Sequence, residues 1–192
     1  MLDTHIKYII KSMPTLETER LVLRRLTKKD ASDMYEYASN PNVPKFLTWT
    51  EHESIDYTKR YLKFVISKYK TAEYLDWGVE LKCTGKLIGT CGFTSVDIQN
   101  SKGEIGYVIS EPYWNNGYAS EAVKRVLEFA FSEIEFNRME ARVMEGNDAS
   151  VAVLKKCGMV YEGTFRQEIF VKGEFKNIIH FAVCKDSFTG RI

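Results

Sequence analysis

Apolar residues recur at positions 119, 122, 123, 126, 127, 130 and 131. Steps of three and four are the spacing of one helix face, so the pattern predicts a helix over 119–134. Before it lies Glu104-Ile105-Gly106-Tyr107-Val108-Ile109-Ser110, an apolar run of strand type. Between the two stands the stretch Tyr113-Trp114-Asn115-Asn116-Gly117-Tyr118. A strand therefore runs through a short loop into the first turn of a long helix. That junction leaves backbone N–H groups unpaired, and the helix dipole adds partial positive charge there. The ligand suited to it is an anion, most often phosphate or pyrophosphate. Gly117 permits backbone angles that a side chain forbids and lets an anion approach the main chain. Ala119 is too small to cover the amides. The loop has no lysine followed by Ser or Thr, and GxGxxG is absent, which excludes two familiar nucleotide loops. An ordinary strand-to-helix turn would show the same local pattern.

The remaining pattern organises one domain. Residues 19–26 alternate apolar and polar, with Leu21, Leu23 and Leu26 inward, and predict a first strand. A helix follows over 27–39, with Thr27 and Asp30 at the N-cap and N3 positions of a capping box. Asn40-Pro41 ends it. Residues 42–50 are irregular and carry Phe46 and Trp49. Such a loop either forms a substrate-selecting wall or is pinned to the core by its aromatics. A second helix is predicted over 54–70. Strands over 75–81 and 86–93, joined through Thr84-Gly85, read as a hairpin. A polar turn over 96–103 leads into the strand before the central loop, so three strands form an antiparallel meander. Residues 138–145 form the next strand after the long helix. Strand, helix, strand in this order requires a crossover, so these two strands run parallel. A short helix over 149–157 is capped by Asn147 or Asp148, with Gly158 closing it. Strands over 160–171 and 175–184 come last. The fold class is thus α+β, with about seven strands, mostly antiparallel, and about four helices.

Composition narrows the function. With 27 basic against 26 acidic residues there is no excess of positive charge, and nucleic-acid binding is not expected. Cys83, Cys91, Cys157 and Cys184 show no CxxC pair, and no metal site is expected. Cys83, Cys91 and Cys184 lie in apolar strand-like runs, as small apolar residues do. His5, His52 and His180 are far apart in sequence and suggest nothing catalytic. No signal peptide and no long apolar span is seen, so no membrane partner is expected and a cytoplasmic location is. Residues 1–14 are expected to be a leader, 15–185 the domain and 186–192 a tail.

Five segments together resemble a known family. They are Asn116-Gly117-Tyr118-Ala119-Ser120-Glu121-Ala122, Asn137-Arg138-Met139-Glu140-Ala141-Arg142-Val143, Asn147-Asp148-Ala149-Ser150, Leu154-Lys155-Lys156-Cys157-Gly158-Met159 and Glu162-Gly163. In this order and spacing they are similar to the GNAT superfamily of acetyl-coenzyme A-dependent N-acetyltransferases. The branch they most resemble contains the acetylases of ribosomal-protein N-termini, and Leu16-Glu17-Thr18-Glu19-Arg20-Leu21-Val22-Leu23-Arg24 is similar to that branch too. The resemblance spans roughly residues 15–185. Many members carry Gln or Arg three residues before the loop glycine, where this chain has Trp114.

The resemblance implies a wedge between the 104–110 and 138–145 strands, which would hold the pantetheine arm of coenzyme A. Main chain at Val108, Ile109 and Ser110 would bond its amides. The pyrophosphate would sit on Asn115, Asn116, Gly117, Tyr118, Ala119 and Ser120, with Tyr118 packing beside the cofactor. Acetyl transfer then needs a neutral amine, a polarised carbonyl and a protonated leaving thiolate. No covalent protein nucleophile is required, because coenzyme A carries the activated acyl group. Glu104 shares a strand face with Gly106, Val108 and Ser110, and is the candidate base. An apolar cleft would raise its pKa, whereas at the strand end it would pair with Lys102. Glu168, on the acceptor side, and a water chain are the alternatives. In the related branch the Asn of Asn147-x-x-Ser150 contacts the cofactor and the Ser lies near the sulfur, while capping accounts for both residues locally. The expected function is acetylation of a protein N-terminal amine. The alternatives are a small amine (polyamine, amino acid or aminoglycoside) and a coenzyme A sensor without turnover. Expected partners are acetyl-coenzyme A and the amine acceptor, with a homodimer left open.

Overall fold

The computed structural model describes residues 8–9, 12–69 and 75–189. Most of the expected leader, the last residue of the second expected helix and the end of the tail lie outside them. The strands are β1 (Leu16–Glu17), β2 (Leu21–Arg24), β3 (Leu75–Leu81), β4 (Leu87–Asp97), β5 (Lys102–Ile109), β6 (Arg138–Met144), β7 (Val160–Val171) and β8 (Glu174–Cys184). The α-helices are α1 (Ala31–Ala38), α2 (Ile55–Lys68), α3 (Tyr118–Ser132) and α4 (Asp148–Lys156). One sheet has the order β1-β2-β3-β4-β5-β6-β8-β7. Every pairing is antiparallel except β5 with β6. The strand beyond the seven expected is β1, whose two residues are too few to show a period.

Local departures have local causes. The first turn of the 27–39 helix is a 3-10 turn, Lys28–Asp30, under a complete capping box between Thr27 and Asp30. The polar turn expected over 96–103 is shorter. A bulge between Phe93 and Ser95 shifts the register, and pairing then continues to Asp97 with Lys102. Exposed Thr94 and Ser95 hide that strand from an apolar count. Cys83 lies exposed in the β3–β4 turn rather than in a strand.

The core takes buried residues from α1 and α2 as well as from the sheet and α3, which packs on the sheet. Seven apolar α3 residues are buried there, and Phe129 meets Trp77 edge-on at 5.5 Å. Trp77 is fully buried and also meets Phe93 edge-on at 5.9 Å. Its indole N–H donates to Pro14 O at 2.8 Å, so the one polar atom of the ring is satisfied. Phe188, in the expected tail, packs on Phe131.

The sheet opens on one side of β5. The parallel pairing of β5 with β6 holds only for Lys102 with Arg138, Gly103 with Met139 and Glu104 with Glu140. Beyond it the two strands part, because β5 stays with β4 to Ile109 and β6 stays with β8 to Met144. Gly89 lets β5 stay so close, since a Cβ there would lie 2.0 Å from Val108 O.

A buried ion pair ties β2 to the start of α1. Arg24 donates to both Asp30 oxygens at 3.0 and 2.8 Å, and Thr27 N–H donates to the same carboxylate at 2.6 Å. Burial pushes the Asp30 carboxyl up, but these donors outweigh it and hold it below its ordinary value. A carboxyl depressed in the fold adds stability above its unfolded pKa, near 3.9, and loses it as pH falls through the folded value. Asp30→Asn is therefore expected to destabilise by about 2 kcal/mol at pH 7. The gap to the parent protein should narrow progressively as pH falls below about 4, read from urea midpoints at pH 7 and at successively lower pH.

Candidate active site

The site begins where β5 meets α3. Asn115 and Gly117 take left-handed backbone angles, φ 61° and 80°. Gly117 stands at the N-cap with no side-chain cap, and the first helix bond comes from Glu121 N–H to Gly117 O. The amides of Tyr118, Ala119 and Ser120 thus take no helix bond. Ser120 of this turn borders a cavity of about 280 Å³, lined also by Glu19, Arg20, Asn116, Gly117, Glu121, Lys124 and Lys156.

Arg20 organises that cavity from the β1–β2 turn. Its guanidinium donates to Glu121 Oε2 at 2.7 Å and to Asn116 O at 3.0 Å, and lies 4.5 Å over the Tyr118 ring. Glu121 also accepts from Thr18 Oγ1 at 2.6 Å and from Arg20 N–H at 2.9 Å. Burial raises the Glu121 carboxyl, yet these donors together hold it below its usual range. Its charge is therefore neutralised by Arg20, while Lys124 and Lys156 add positive charge to an already positive helix end. The Tyr118 ring packs between Arg20 and Tyr113.

The wedge lies between the parted strands. Ser110 N–H donates to Ile88 O at 2.7 Å, on the β4 side, and antiparallel alternation turns the Val108 main chain the same way. The Ile109 main chain faces the opening, with its carbonyl accepting from Trp114 Nε1 at 2.6 Å. Of the three main-chain positions proposed from the sequence, Ile109 faces the wedge and the Ser110 amide is already used inside the sheet. Asn147 caps α4 by accepting from Ser150 N–H at 3.2 Å. Ser150 is reached across the wedge by Tyr107, whose hydroxyl lies 2.6 Å from Ser150 Oγ. Burial pushes the Tyr107 phenol up, so it keeps its proton at neutral pH.

The opposite face of the wedge carries charge. Glu104 is paired with Arg142 (2.8 Å) and accepts from Thr94 Oγ1 (2.6 Å). It does not pair with Lys102, which reaches Glu140 instead. The apolar cleft expected around Glu104 is thus an ion pair across the wedge. Glu168 holds His180 Nε2 at 2.6 Å, and Phe165 packs on the imidazole at 4.4 Å. Phe46 reaches this side: it packs with Met144, Ile169, Val171 and Ile178, and Lys172 Nζ fastens its loop through Pro44 O. Trp49 goes elsewhere, against His52 and the main core.

Sequence reasoning missed Arg20, Tyr107, Arg142 and His180. Arg142 shares the period-2 face of Arg138 and Glu140, a signal present in the sequence. The other three depend on which strands become neighbours. Among the described residues no group of three or more His, Cys, Asp or Glu could hold a metal. No helix among them is long and apolar enough to cross a membrane.

Comparison with known proteins agrees with this geometry. Residues 20–160 match the family described as acetyltransferase (GNAT) domain. The uncharacterized N-acetyltransferase YoaA of Bacillus subtilis is 35% identical over 160 residues, covering 83% of this chain and 90% of that protein. The crystal structure of a GNAT-family acetyltransferase from Bacillus anthracis is 26% identical, with TM-score 0.81 over 90% of this chain and 99% of that one. The ribosomal-protein-S5-alanine acetyltransferase of Vibrio fischeri shares the fold at 20% identity, with TM-score 0.78 over 92% of this chain and all of that one. An open-edged wedge leading to a bare helix end, in a chain matched over most of its length, identifies the protein as a member of the GNAT family of acetyl-coenzyme A-dependent N-acetyltransferases.

Proposed function

We propose that this N-acetyltransferase acts on the N-terminal amine of a protein, of the ribosomal-protein type, by direct attack of the amine on the thioester. The observation that carries the reading is the parting of β5 from β6 after Glu104 and Glu140. An unpaired strand edge recognises an extended, amide-bearing ligand, and the edge leads straight to the bare α3 amides. Acetyl-coenzyme A has that shape: a pyrophosphate at one end and an amide-bearing arm at the other. In this reading the amides over 117–120, with Lys124 and Lys156, hold the phosphates. Ile109 pairs with the arm. The resemblance of the sequence to the ribosomal branch supports the acceptor class.

Tyr107 and Ser150 serve the leaving group. Their hydroxyls share one hydrogen bond at 2.6 Å, so a proton passing from Ser150 to sulfur is replaced from Tyr107. Asn147 fixes Ser150 through its cap and lies beside the arm. Glu104 stands at the root of the wedge and Glu168 beside its mouth, and both are among the groups on this side that could draw the amine's proton, directly or through water.

Three outcomes are expected. Gly117→Val should weaken coenzyme A binding at least tenfold by calorimetry, since φ 80° disfavours a β-branched residue; unchanged affinity would remove the phosphate role. Tyr107→Phe and Ser150→Ala should each slow turnover about tenfold or more with coenzyme A affinity intact. The double variant should be no slower than the worse single one, because the pair acts as a unit. Purified protein given acetyl-coenzyme A should release thiol with peptides bearing a free N-terminus. Release only with polyamines, amino acids or aminoglycosides would replace the acceptor class.

A further inference from the structure

His180 and Glu168 are brought together by an irregularity in β7. Between Phe165 and Ile169 the strand advances four residues while β8 advances only two, from Ile178 to Lys176. Gln167, inside the bulge, takes φ 55°, an angle that a side chain disfavours. Its N–H is satisfied by Asn177 Oδ1 at 2.8 Å. A bulge of this kind re-aims side chains next to functional sites. Here it turns Glu168 onto His180 Nε2 at 2.6 Å. Phe165 packs on one side of the imidazole at 4.4 Å.

The register places this pair at the wedge. His180 lies opposite Arg142 on β6, and Arg142 is the residue that pairs with Glu104. The charged groups around the imidazole are therefore Arg142 from β6, Glu168 and Glu162 from β7, and Glu104 behind Arg142. Glu104 already holds a guanidinium and a hydroxyl donor, one on each oxygen. With Nε2 on Glu168, no group among the described residues takes His180 Nδ1. Imidazole is also the side chain best suited to trade protons near neutral pH.

We propose that His180, oriented by Glu168, is the catalytic residue that deprotonates the acceptor ammonium, and that Glu104 with Arg142 positions the amine instead of taking its proton. The assignment rests on the amine-acetylation reading above. Nε2–H donates to Glu168, so Nδ1 carries the lone pair. Nδ1 takes one proton from R–NH3+ and leaves R–NH2. The nitrogen lone pair then forms the C–N bond at the thioester carbonyl, and the C–S bond breaks with its electron pair on sulfur. The thiolate takes its proton from the Ser150–Tyr107 pair and leaves as free thiol; the second nitrogen proton passes to solvent, solvent returns one to the pair, and His180 releases its own. Glu168 stabilises the transient imidazolium, as a carboxylate beside a cation does.

The test is kcat against pH at saturating peptide and acetyl-coenzyme A, with melting temperatures checked for each variant. His180→Ala should lower kcat about 100-fold, leave coenzyme A affinity unchanged and recover at least tenfold with added imidazole. Glu168→Gln should lower kcat at least tenfold with coenzyme A affinity unchanged, because the carboxylate that holds Nε2–H and leaves Nδ1 as the acceptor is lost. It carries the test should His180→Ala fail to fold. Glu104→Gln should keep the acidic limb of the profile and change chiefly the KM for the peptide. Loss of the limb in Glu104→Gln with its retention in His180→Ala would overturn the assignment. So would a His180→Ala variant of undiminished rate, or an undiminished kcat in Glu168→Gln, while the acetylation reading itself would stand. A parent protein that binds acetyl-coenzyme A yet releases thiol with no amine would overturn that reading and this assignment together.

Discussion

Backbone hydrogen bonding between neighbouring strands is the constraint on which this structure turns. A sheet normally satisfies both edges of every interior strand. Here β5 has a neighbour on its β6 side for three residues and then none. The opening is not a defect of β5, which continues to pair with β4 as far as Ile109. It is built in by two allegiances: β5 to β4, made closer by Gly89, and β6 to β8. Each half of the sheet is internally complete, and the seam between them supplies unpaired polar groups in a fixed place. Trp114 closes one of these with its indole, on Ile109 O. The residue that departs from the common Gln or Arg of the family thus bonds the wedge directly.

The two mouths of the seam differ in chemistry. At one end the peptide dipole of α3, Lys124 and Lys156 favour an anion, while the one nearby carboxylate of the helix, Glu121, is neutralised by Arg20 and Thr18. That clip also sets the geometry, because the same guanidinium holds Asn116 O. The turn between β1 and β2 therefore helps fix a loop nearly a hundred residues away in sequence. On the other face, charge is arranged as two pairs, Glu104 with Arg142 and Glu168 with His180. Two carboxylates on one face, each held by a partner, would suit a cationic group that must be bound first and then lose its charge.

How much of this the sequence disclosed depends on the range of each interaction. The α3 helix, its entry loop and Gly117 are local, and period 3.6 together with one glycine was enough to place them. The Thr27–Asp30 capping box is equally local. The crossover from β5 to β6 followed from element order alone. What escaped depends on neighbours chosen by the whole fold. Lys102 is the nearest cation to Glu104 in sequence, yet Arg142 is the nearest in space, because parallel pairing brings Glu140 beside Glu104 and leaves Arg142 two residues further along. His180 looked inert as one of three scattered histidines. It gains a partner only through a bulge, which carries no apolar period and so leaves no trace in the pattern.

That bulge bears on how the two faces cooperate. Tyr107 and Ser150 approach the seam from the side of α4, and Glu104, Arg142, Glu168 and His180 from the other. The hydroxyl pair can only lend a proton, since burial keeps the Tyr107 phenol protonated. The carboxylates and imidazole can only accept one or hold a cation. A thioester threaded along the seam would meet donors at its sulfur and acceptors at its incoming amine, with the sheet itself keeping the two sets apart. Direct contact between them would let a donor hydroxyl and an acceptor imidazole pair with each other and leave neither free for substrate. In the proposed mechanism, parting two strands would therefore do more than admit a ligand: it would hold opposite proton tasks on opposite walls without cancelling.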